Sequence, residues 1–374
     1  MHPDIVIIGA GIAGASAAAM LAPHARVTLL EREEQPGYHA TGRSAAQFAE
    51  SYGNVPVRAL TAASRAFFEN PPEDFCESPL LHPRGAMFIA RNDQLAALDA
   101  FYRELAAGFP AIERFDAGEA RRIVPALRHD YVAGAVLDPA SADIDVHALH
   151  QGFLRLFRRK GGMLRLNADV RGLRREAGVW HIALGKGDVL QSPVIVDAGG
   201  AWAGEIARLA GAAPIAMTPK RRTVALFDPP AGCAIDGWPL VVDADEQFYF
   251  KPDAGQILAS PADETPTAPA DVQAEEWDIA LAVDRVQQAA ELPVRCINHS
   301  WAGLRTFSDD KTPVIGWDRQ AEGFFWLAGQ GGYGVQTAPA IAELAAALIT
   351  GRDLPPGLRD YGINPADTDP ARFS

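Results

Sequence analysis

The chain opens on a short, uninterrupted run of β-branched residues, Ile5 to Ile8. Such a run predicts a strand that is buried on both faces, as in a parallel sheet. A glycine-rich turn over 9–14 follows, then a helix over 15–21 and a second apolar strand over 26–30. Together these segments predict one complete βαβ unit.

The rest of the chain alternates between helix-like and strand-like patterns. Helical patterns cover 58–69, 93–108, 143–160, 272–291 and 338–349, of which 272–291 is predicted to be the longest amphipathic helix. Strands are predicted over 163–166, 170–174, 180–184, 194–196 and 324–330, and in broken segments over 220–260. The spacing of Asp116 and Glu119 predicts a capping box, and the Pro/Thr/Ala-rich segment 262–271 predicts an exposed loop.

The β-rich middle of the chain lies between α/β segments, which indicates two domains interleaved in sequence. We predict an α/β dinucleotide-binding domain and a second, α+β domain built on an antiparallel sheet. The first is assigned to residues 1–80, 145–215 and 300–374, and the second to residues 81–144 and 216–299.

Composition narrows the functional classes. The chain has 374 residues, 48% of them hydrophobic, and a net charge of −13, which argues against a nucleic-acid groove. We find no apolar stretch long enough to span a membrane. Cys76, Cys233 and Cys296 lie far apart and form no CxxC pair, so we expect neither a disulfide framework nor a zinc site. We expect a cytoplasmic protein, with peripheral contact at the inner membrane left open.

The turn after the first strand is a dinucleotide fingerprint in its full context. Gly9 permits the tight turn, Gly11 lets the backbone approach a pyrophosphate, and Gly14 lets helix and strand pack closely. The helix N-terminus then offers free N–H groups to the phosphates. Glu31 ends the next strand 22 residues after Gly9, near the spacing of about 20 at which an acid binds the ribose hydroxyls.

Two further features favour FAD over NAD as the nucleotide. The first is the segment Thr41–Ala46, just after the second strand. The second is a repeat of the strand–glycine–helix pattern near the C-terminus, which gives a larger cofactor a second anchor. We predict a helix that starts near Gly334 and directs its dipole at the flavin pyrimidine edge, where negative charge develops on reduction.

Several motifs resemble one flavoenzyme superfamily. The segments 31–39, 41–46 and 197–202 are similar to those of the D-amino-acid oxidase superfamily. Over nearly its full length the chain resembles the bacterial FAD-dependent D-arginine dehydrogenases within it, in the segments 60–68, 142–152, 219–222, 248–255, 301–305 and 330–336. The resemblance implies a glutathione-reductase-type FAD-binding domain and a substrate domain that roofs the flavin.

The resemblance also implies an activity. A D-amino acid would be oxidised by hydride transfer from Cα to flavin N5, and the imino acid would be hydrolysed to a 2-oxo acid and ammonia. Electrons would leave to a respiratory-type, quinone-like acceptor. FAD would be bound non-covalently, since no cysteine follows 301–305.

Site residues follow from the resemblance position by position. Arg222 and Arg305 would hold the substrate carboxylate in a bidentate manner, and Tyr52 and Tyr249 would bind substrate and close the site. We expect further substrate contacts from Gln47, Ala86, Gly332, Tyr333 and Gln336. The expected cofactor contacts are Gly9, Gly11, Ile12, Ala13, Gly14, Glu31, Arg32, Thr41, Gly42, Arg43, Ser44, Ala45, Ala46, Val170, Gly199, Trp202, Gly331, Gly332, Tyr333, Gly334, Val335 and Gln336.

The pocket for the substrate side chain departs from the relatives. Ala86 stands where the D-arginine dehydrogenases have a glutamate for the substrate guanidinium, and Gln47 and Ala49 replace a histidine and a threonine. A cationic side chain would therefore be desolvated without a partner, so we predict a preference for neutral D-amino acids. Glu50 could compensate only if it points inward, and we expect it to be solvated.

Other interpretations stay open at this point. An oxidase that passes electrons to oxygen, a flavin-binding redox sensor without catalysis and a nicotinamide dehydrogenase are the alternatives. No side chain stands out as a base, so the substrate ammonium would lose its proton to a water held by Tyr52 or Tyr249. His147 and His150 have a metal-compatible spacing but no evident third ligand, and we expect them at the surface or capping a helix.

Overall fold

The structure is a computed structural model, and it describes residues 2–185 and 187–373. The strands are β1 (Ile5–Ile8), β2 (Val27–Leu30), β3 (Gln47–Phe48), β4 (Leu81–Pro83), β5 (Ala86–Ala90), β6 (Glu113–Asp116), β7 (Gly134–Asp138), β8 (Ala142–Ile144), β9 (Met163–Arg165), β10 (Val170–Glu176), β11 (Val179–Leu184), β12 (Val189–Ser192), β13 (Val194–Asp197), β14 (Thr218–Phe227), β15 (Leu240–Asp243), β16 (Tyr249–Asp253), β17 (Gln256–Ser260), β18 (Thr265–Pro266), β19 (His299–Phe307), β20 (Val314–Trp317) and β21 (Phe324–Ala328). The α-helices are α1 (Ile12–Leu21), α2 (Val55–Glu69), α3 (Leu95–Ala106), α4 (Ala117–Ile123), α5 (Val146–Arg159), α6 (Ala203–Ala210), α7 (Glu276–Ala289), α8 (Ala338–Thr350) and α9 (Pro356–Asp360).

The first of the two large sheets has six strands in the order β20-β21-β13-β1-β2-β9. β1 pairs in parallel with both β2 and β13, and only the edge strand β20 is antiparallel. Ile5 and Ile7 face a core shared with α1, α5 and α8, whereas Val6 and Ile8 face a core shared with β11. Burial of both faces explains the continuous apolar run, and the predicted βαβ unit is confirmed.

The second large sheet has nine strands, in the order β18-β14-β17-β16-β15-β5-β7-β6 with β19 paired to β14. Its strands are antiparallel except for β5 and β15, which pair in parallel. These two strands come from segments separated by a long excursion through the first sheet, and such a crossover permits parallel pairing. The predicted fold class is therefore confirmed, with a mixed rather than purely antiparallel second sheet.

The sheet pairing differs from the predicted domain division at one point. β19 pairs with β14 over its whole length, so residues 300–307, which we assigned to the first domain, lie in the nine-stranded sheet. The other boundaries stay predictions. No helix in the described ranges is long and apolar enough to cross a bilayer.

Two helices have other bounds than the sequence pattern predicts. The helix predicted over 272–291 begins only at Glu276, because Val272 is buried in a separate segment whose carbonyl accepts a hydrogen bond from Arg43. The longest α-helix in the described chain is instead α2, with 15 residues. It begins before the predicted residue 58, because the Asn54 side chain caps it by accepting from the Val57 N–H. The capping box of Asp116 and Glu119 is confirmed.

We expect Gly14→Ala to destabilise the protein strongly. A Cβ at residue 14 would lie 1.9 Å from the Gly9 carbonyl oxygen, and neither backbone segment has room to move. The free energy of unfolding should fall by at least about 3 kcal/mol, measured by chemical denaturation. Gly204→Ala is the matched control, because Gly204 is also helical and a Cβ there meets no atom within 4 Å. Equal stability of the two variants would contradict the close-packing argument.

Candidate active site

One continuous cavity runs between the two large sheets. Gly9 and Glu31, at the carboxyl ends of β1 and β2, line one end of it, and Ala86 and Tyr249 of the nine-stranded sheet line the other. The carboxyl edge of a parallel sheet is where ligands bind in open α/β folds. The cavity therefore joins a nucleotide-like end to a second, sheet-covered end.

The nucleotide end shows why the first turn needs glycine. Gly9 has a φ of +104°, and a Cβ there would lie 2.4 Å from the Ala198 carbonyl oxygen. The Glu31 carboxylate is fixed from below, since its oxygens accept the N–H groups of Ala10 and Glu33, each at 3.0 Å. The Ile12 N–H donates to Thr41 Oγ1 at 2.9 Å. Thr41 thus satisfies one donor of the α1 N-terminus, which we had expected to face the cofactor.

Most of the predicted cofactor residues line this cavity. They are Gly9, Gly11, Ile12, Ala13, Glu31, Arg32, Thr41, Arg43, Ser44, Ala45, Ala46, Val170, Gly199, Trp202, Gly331, Gly332, Gly334, Val335 and Gln336. The exceptions are Gly14, Gly42 and Tyr333. Gly14 and Gly42 pack against the backbone of Gly9 and Gly37, and the Tyr333 ring packs against Tyr52 and Phe307.

Arg43 differs from its expected role. Its backbone is beside the cavity, but its guanidinium donates to the carbonyls of Val272 (2.9 Å) and Ala302 (3.1 Å) and pairs with Asp271. Tyr38 Oη also donates to Asp271 at 3.1 Å. The predicted exposed loop over 262–271 is therefore tied down, and Ala262 and Ala270 of it line the cavity.

The second glycine turn also differs from the expectation. Residues 331–337 form turns, and α8 begins at Ala338 rather than near Gly334. The Thr337 N–H and hydroxyl both bond the Tyr333 carbonyl, which completes a turn before the helix, and Pro339 stands in its first turn. The dipole of α8 therefore starts one turn later than predicted.

The second end of the cavity carries the predicted arginines and tyrosines. Arg222 of β14 and Arg305 of β19 are diagonal neighbours in an antiparallel pair, with Lys220 opposite Arg305, and both line the cavity together with Tyr52 and Tyr249. Strand alternation sends Arg221 to the other face, as predicted. There it pairs with Asp278 at 2.8 Å and with Glu275.

The charges at this end are not balanced. Arg222 Nε donates to the Asp263 carbonyl at 2.9 Å, and its Nη2 lies 3.5 Å from Glu264. For Arg305, no residue of the described chain provides a carboxylate or a hydrogen-bond acceptor to the guanidinium. Arg305 is half-buried at the cavity wall, and a partly desolvated cation without a partner favours the binding of an anion.

The pKa values of the two tyrosines shift in opposite directions, although the arginines lower both. Burial would raise the pKa of Tyr249, but the guanidinium groups of Arg305 and Arg222 outweigh it and hold the pKa of the phenol below its usual value. Burial raises the pKa of Tyr52 despite Arg305, and the Glu246 carboxylate adds to the rise. The Tyr249 hydroxyl is buried, and the neighbouring Ser260 and Arg222 side chains also lower its pKa.

Apolar residues form the floor beside the arginines. Ala86 and Phe88 of β5 lie opposite Leu240 and Val242 of β15, and all four line the cavity. Gln47 also lines it, and its amide donates to the Gly85 carbonyl at 3.3 Å. This floor has no charged group of its own.

Two acidic residues near the floor have different places. Glu50 does not line the cavity, because it pairs with Arg65 of α2 at 2.6 Å. Glu246 does line it, from the turn between β15 and β16, where its φ is +54°. Sequence reasoning missed Glu246, and a run of acids between two strands gave no signal that one of them faces the cavity.

His150 is not at the surface, contrary to our expectation. It is buried, its Nε2 donates to the Ala10 carbonyl at 2.9 Å, and its ring lies under Gly37. Burial lowers its pKa and outweighs the hydrogen bond to Ala10, which acts in the opposite direction. His150 therefore supports the first glycine turn from behind, and the described residues contain no group of side chains arranged to hold a metal ion.

Comparison with known proteins identifies the family. The sequence profile of the DAO family, the FAD-dependent oxidoreductases, matches residues 4–348. The chain belongs to this family. It is a flavoprotein, and FAD is its cofactor.

Individual relatives agree with this assignment. The chain is 28% identical to the glycine oxidase of Pseudomonas aeruginosa, over 94% of this chain and 96% of that protein. Among solved structures it is similar to L-proline dehydrogenase from P. horikoshii, with a TM-score of 0.81, 22% identity and 100% and 98% of the two chains covered. Glycine oxidase from Geobacillus kaustophilus gives a TM-score of 0.80 at 20% identity, over 94% and 95% of the chains.

The residues present fit FAD. The glycine cradle around Gly9 and Gly11 would be filled by any Cβ, which leaves room for a pyrophosphate against the backbone. Glu31 is placed for the ribose hydroxyls, and Arg32 stacks over Trp202 with its guanidinium carbon 4.8 Å from the ring centre. None of the three cysteines lines the cavity, as non-covalent binding requires of them.

We expect the stability of this flavoprotein to fall with rising pH because of Asp197. The residue is fully buried behind Gly199, one carboxylate oxygen has no hydrogen-bond partner in the described chain, and burial raises its pKa to about 8. The folded protein holds this proton while the unfolded chain releases it near pH 4. The free energy of unfolding should therefore decrease by about 1.4 kcal/mol per pH unit between these values.

The variant Asp197→Asn should flatten this dependence, because the amide oxygen still accepts the Gly199 N–H without a charge. Thermal unfolding between about pH 5 and pH 8 measures it. Asp353→Asn, at an exposed carboxylate, is the control and should keep the wild-type profile. Parallel profiles for all three proteins would exclude Asp197 as the source.

Proposed function

We propose that this enzyme oxidises D-amino acids with neutral side chains to imino acids, which water hydrolyses to 2-oxo acids and ammonia. The observation that carries the proposal is the unpartnered guanidinium of Arg305 beside Arg222. Two planar cations side by side match a carboxylate in geometry and charge. The D configuration is inferred from the resemblance to the D-arginine dehydrogenases.

The protein's own groups bind and orient the substrate. FAD, when bound, accepts a hydride from the substrate Cα. Arg222 and Arg305 hold the carboxylate, which fixes the Cα–H direction and so acts mainly through positioning. We assign the Tyr249 hydroxyl, which lies beside Arg222, as a further donor to the same carboxylate, and Tyr52 as a group that binds the substrate and closes the site. The substrate amine must be neutral before oxidation, and we assign its proton to a water held by Tyr52 or Tyr249.

The apolar floor supports a neutral side chain. A side chain that extends from a carboxylate held by the two arginines meets Ala86, Phe88, Leu240 and Val242, none of which can pair with a cation. Burying an unpaired ammonium or guanidinium there would be costly. Glu246 is exposed at the rim, so a long cationic side chain could reach it only by leaving the floor.

The acceptor and the location complete the proposal. A quinone-type electron acceptor follows from the resemblance, and a cytoplasmic location follows from the three isolated cysteines. Peripheral contact at the inner membrane stays open. A second candidate is the oxidation of glycine or N-substituted glycines by oxygen. It is favoured by the full-length similarity to the glycine oxidase of P. aeruginosa.

The visible spectrum of the anaerobic holoenzyme tests the proposal. Neutral D-amino acids should bleach the flavin bands, whereas their L enantiomers should not. Bleaching by glycine alone, with rapid oxygen uptake at an oxygen electrode, would favour the second candidate. A flavin that no amine reduces would favour a redox sensor and contradict both.

Arg305→Lys should separate the carboxylate role from general structure. Lysine keeps the charge but loses the planar fork, so kcat/KM for the best D-amino acid should fall at least about tenfold. Arg221→Lys is the matched control on the reverse face, and it should change thermal stability while KM stays unchanged. Equal KM changes in the two variants would argue against Arg305 as the carboxylate ligand.

Ala86→Glu should move specificity toward cationic substrates. A carboxylate on the floor would partner an ammonium or guanidinium, so kcat/KM for D-arginine should rise at least about tenfold and that for D-leucine should fall. Ala86→Gln fills the same volume without charge and should lower D-leucine turnover with no gain for D-arginine. A wild-type enzyme that already prefers D-arginine would overturn the neutral-substrate proposal.

A further inference from the structure

The loop that carries Tyr52, residues 49–54, is fixed at both ends to one side of the cavity. The Ala49 N–H donates to Gln336 Oε1 at 3.2 Å, and Asn54 Nδ2 donates to Thr312 Oγ1 at 2.8 Å. Both partners follow β19 in sequence and lie outside the nine-stranded sheet. These two hydrogen bonds therefore do not fix the position of Tyr52 relative to the apolar floor on β5 and β15.

The middle of the loop has one hydrogen bond to the nine-stranded sheet within the described chain. Ser51 Oγ donates to Asp138 Oδ2 at 2.6 Å, and both residues are buried, with exposed fractions of 3% and 5%. Asp138 is the last residue of β7 and stands directly opposite Ala86 in the pairing of β5 with β7. The contact thus joins the residue before Tyr52 to the strand position beside the floor.

The Asp138 carboxylate is held by neutral hydrogen-bond donors alone. Asp138 accepts from three neutral donors, the Ser51 hydroxyl, the Ser141 hydroxyl at 3.0 Å and the Ala140 N–H at 3.0 Å, and no cation within salt-bridge distance pairs with it in the described residues. A buried carboxylate depends on each such donor. Only the Ser51 donor comes from the Tyr52 loop.

We propose that Ser51 and Asp138 are positioning residues that hold Tyr52 over the substrate floor. The proposal rests on the proposed function of this site. Of the two arginines and two tyrosines at the second end of the cavity, only Tyr52 is carried by this loop. The centre of its ring lies 5.1 Å from the centre of the Tyr333 ring. Without the Ser51 bond, the loop keeps its ends, and Tyr52 is free to move from the floor. Substrate capture then weakens, while the two arginines and the flavin stay in place.

The kinetic test compares Ser51→Ala with Ser141→Ala, since each variant removes one hydroxyl from the same carboxylate oxygen. Anaerobic stopped-flow reduction of the holoenzyme by its best D-amino acid gives the substrate Kd and the limiting reduction rate separately. Ser51→Ala should raise Kd about tenfold with a smaller change in the limiting rate. Ser141→Ala should lose similar thermal stability and keep the wild-type Kd, and Ser51→Thr, which retains the hydroxyl, should restore binding.

A double-mutant cycle shows whether Ser51 acts through Tyr52. In the Tyr52→Phe background, Ser51→Ala should cause little further change in Kd, because the group that it positions is already altered. Fully additive effects would overturn the proposal. So would equal Kd values for Ser51→Ala and Ser141→Ala.

Limited digestion with chymotrypsin measures local opening of the Tyr52 loop and does not require the enzyme to oxidise a substrate. Cleavage after Tyr52 requires local opening, so Ser51→Ala holoenzyme should be cut at that bond at least about fivefold faster than wild type or Ser141→Ala, as judged by mass spectrometry. If no D-amino acid reduces the wild-type flavin, the proposed function fails, and this comparison still decides the positioning. Unchanged cleavage in Ser51→Ala would refute it.

Discussion

The antiparallel ladder between β14 and β19 brings two half-buried cations, Arg222 and Arg305, to one face of a sheet, and the chemistry of the cavity depends on that ladder. Burial and the neighbouring Arg305 together lower the pKa of Arg222. Arg222 retains a carbonyl and a distant carboxylate as partners, whereas Arg305 has neither. The two like charges repel each other, and an anion bound between them would relieve that repulsion.

The same strand shows a second, opposite use of arginine. One residue before Arg222, Arg221 points to the reverse face and pairs with Asp278 and Glu275 at the start of α7. Its charge is neutralised and serves to dock a helix. Arg221 and Arg222 therefore differ in role because close carboxylates pair with Arg221 but not with Arg222.

The sequence was informative wherever a short-range pattern determines the structure. The fingerprint turn, the βαβ unit, the Asp116 capping box and the alternation of Arg221 and Arg222 depend on residues a few positions apart, and all are present as predicted. The buried position of His150, the tie between Arg43 and the 262–271 loop, and Glu246 at the rim depend on contacts between distant segments. No local pattern indicates such contacts. The late start of α8 is an intermediate case, because the turn before it is closed by local bonds from Thr337 to the Tyr333 carbonyl.

The parallel pairing of β5 with β15 also has a consequence for how the chain assembles. Ala86 and Leu240 face each other in that pair although roughly 150 residues separate them, and contacts of such long range make folding slow. Two strands of the six-stranded sheet, β9 and β13, lie between them in the chain. The floor of the substrate end therefore closes only after residue 243 has been synthesised and the nucleotide-binding layer has brought the two segments together. During translation, the first half of the chain contains β5 paired with β7 alone, so the other edge of β5 stays unpaired until β15 has been made. An unpaired apolar edge of this kind favours aggregation.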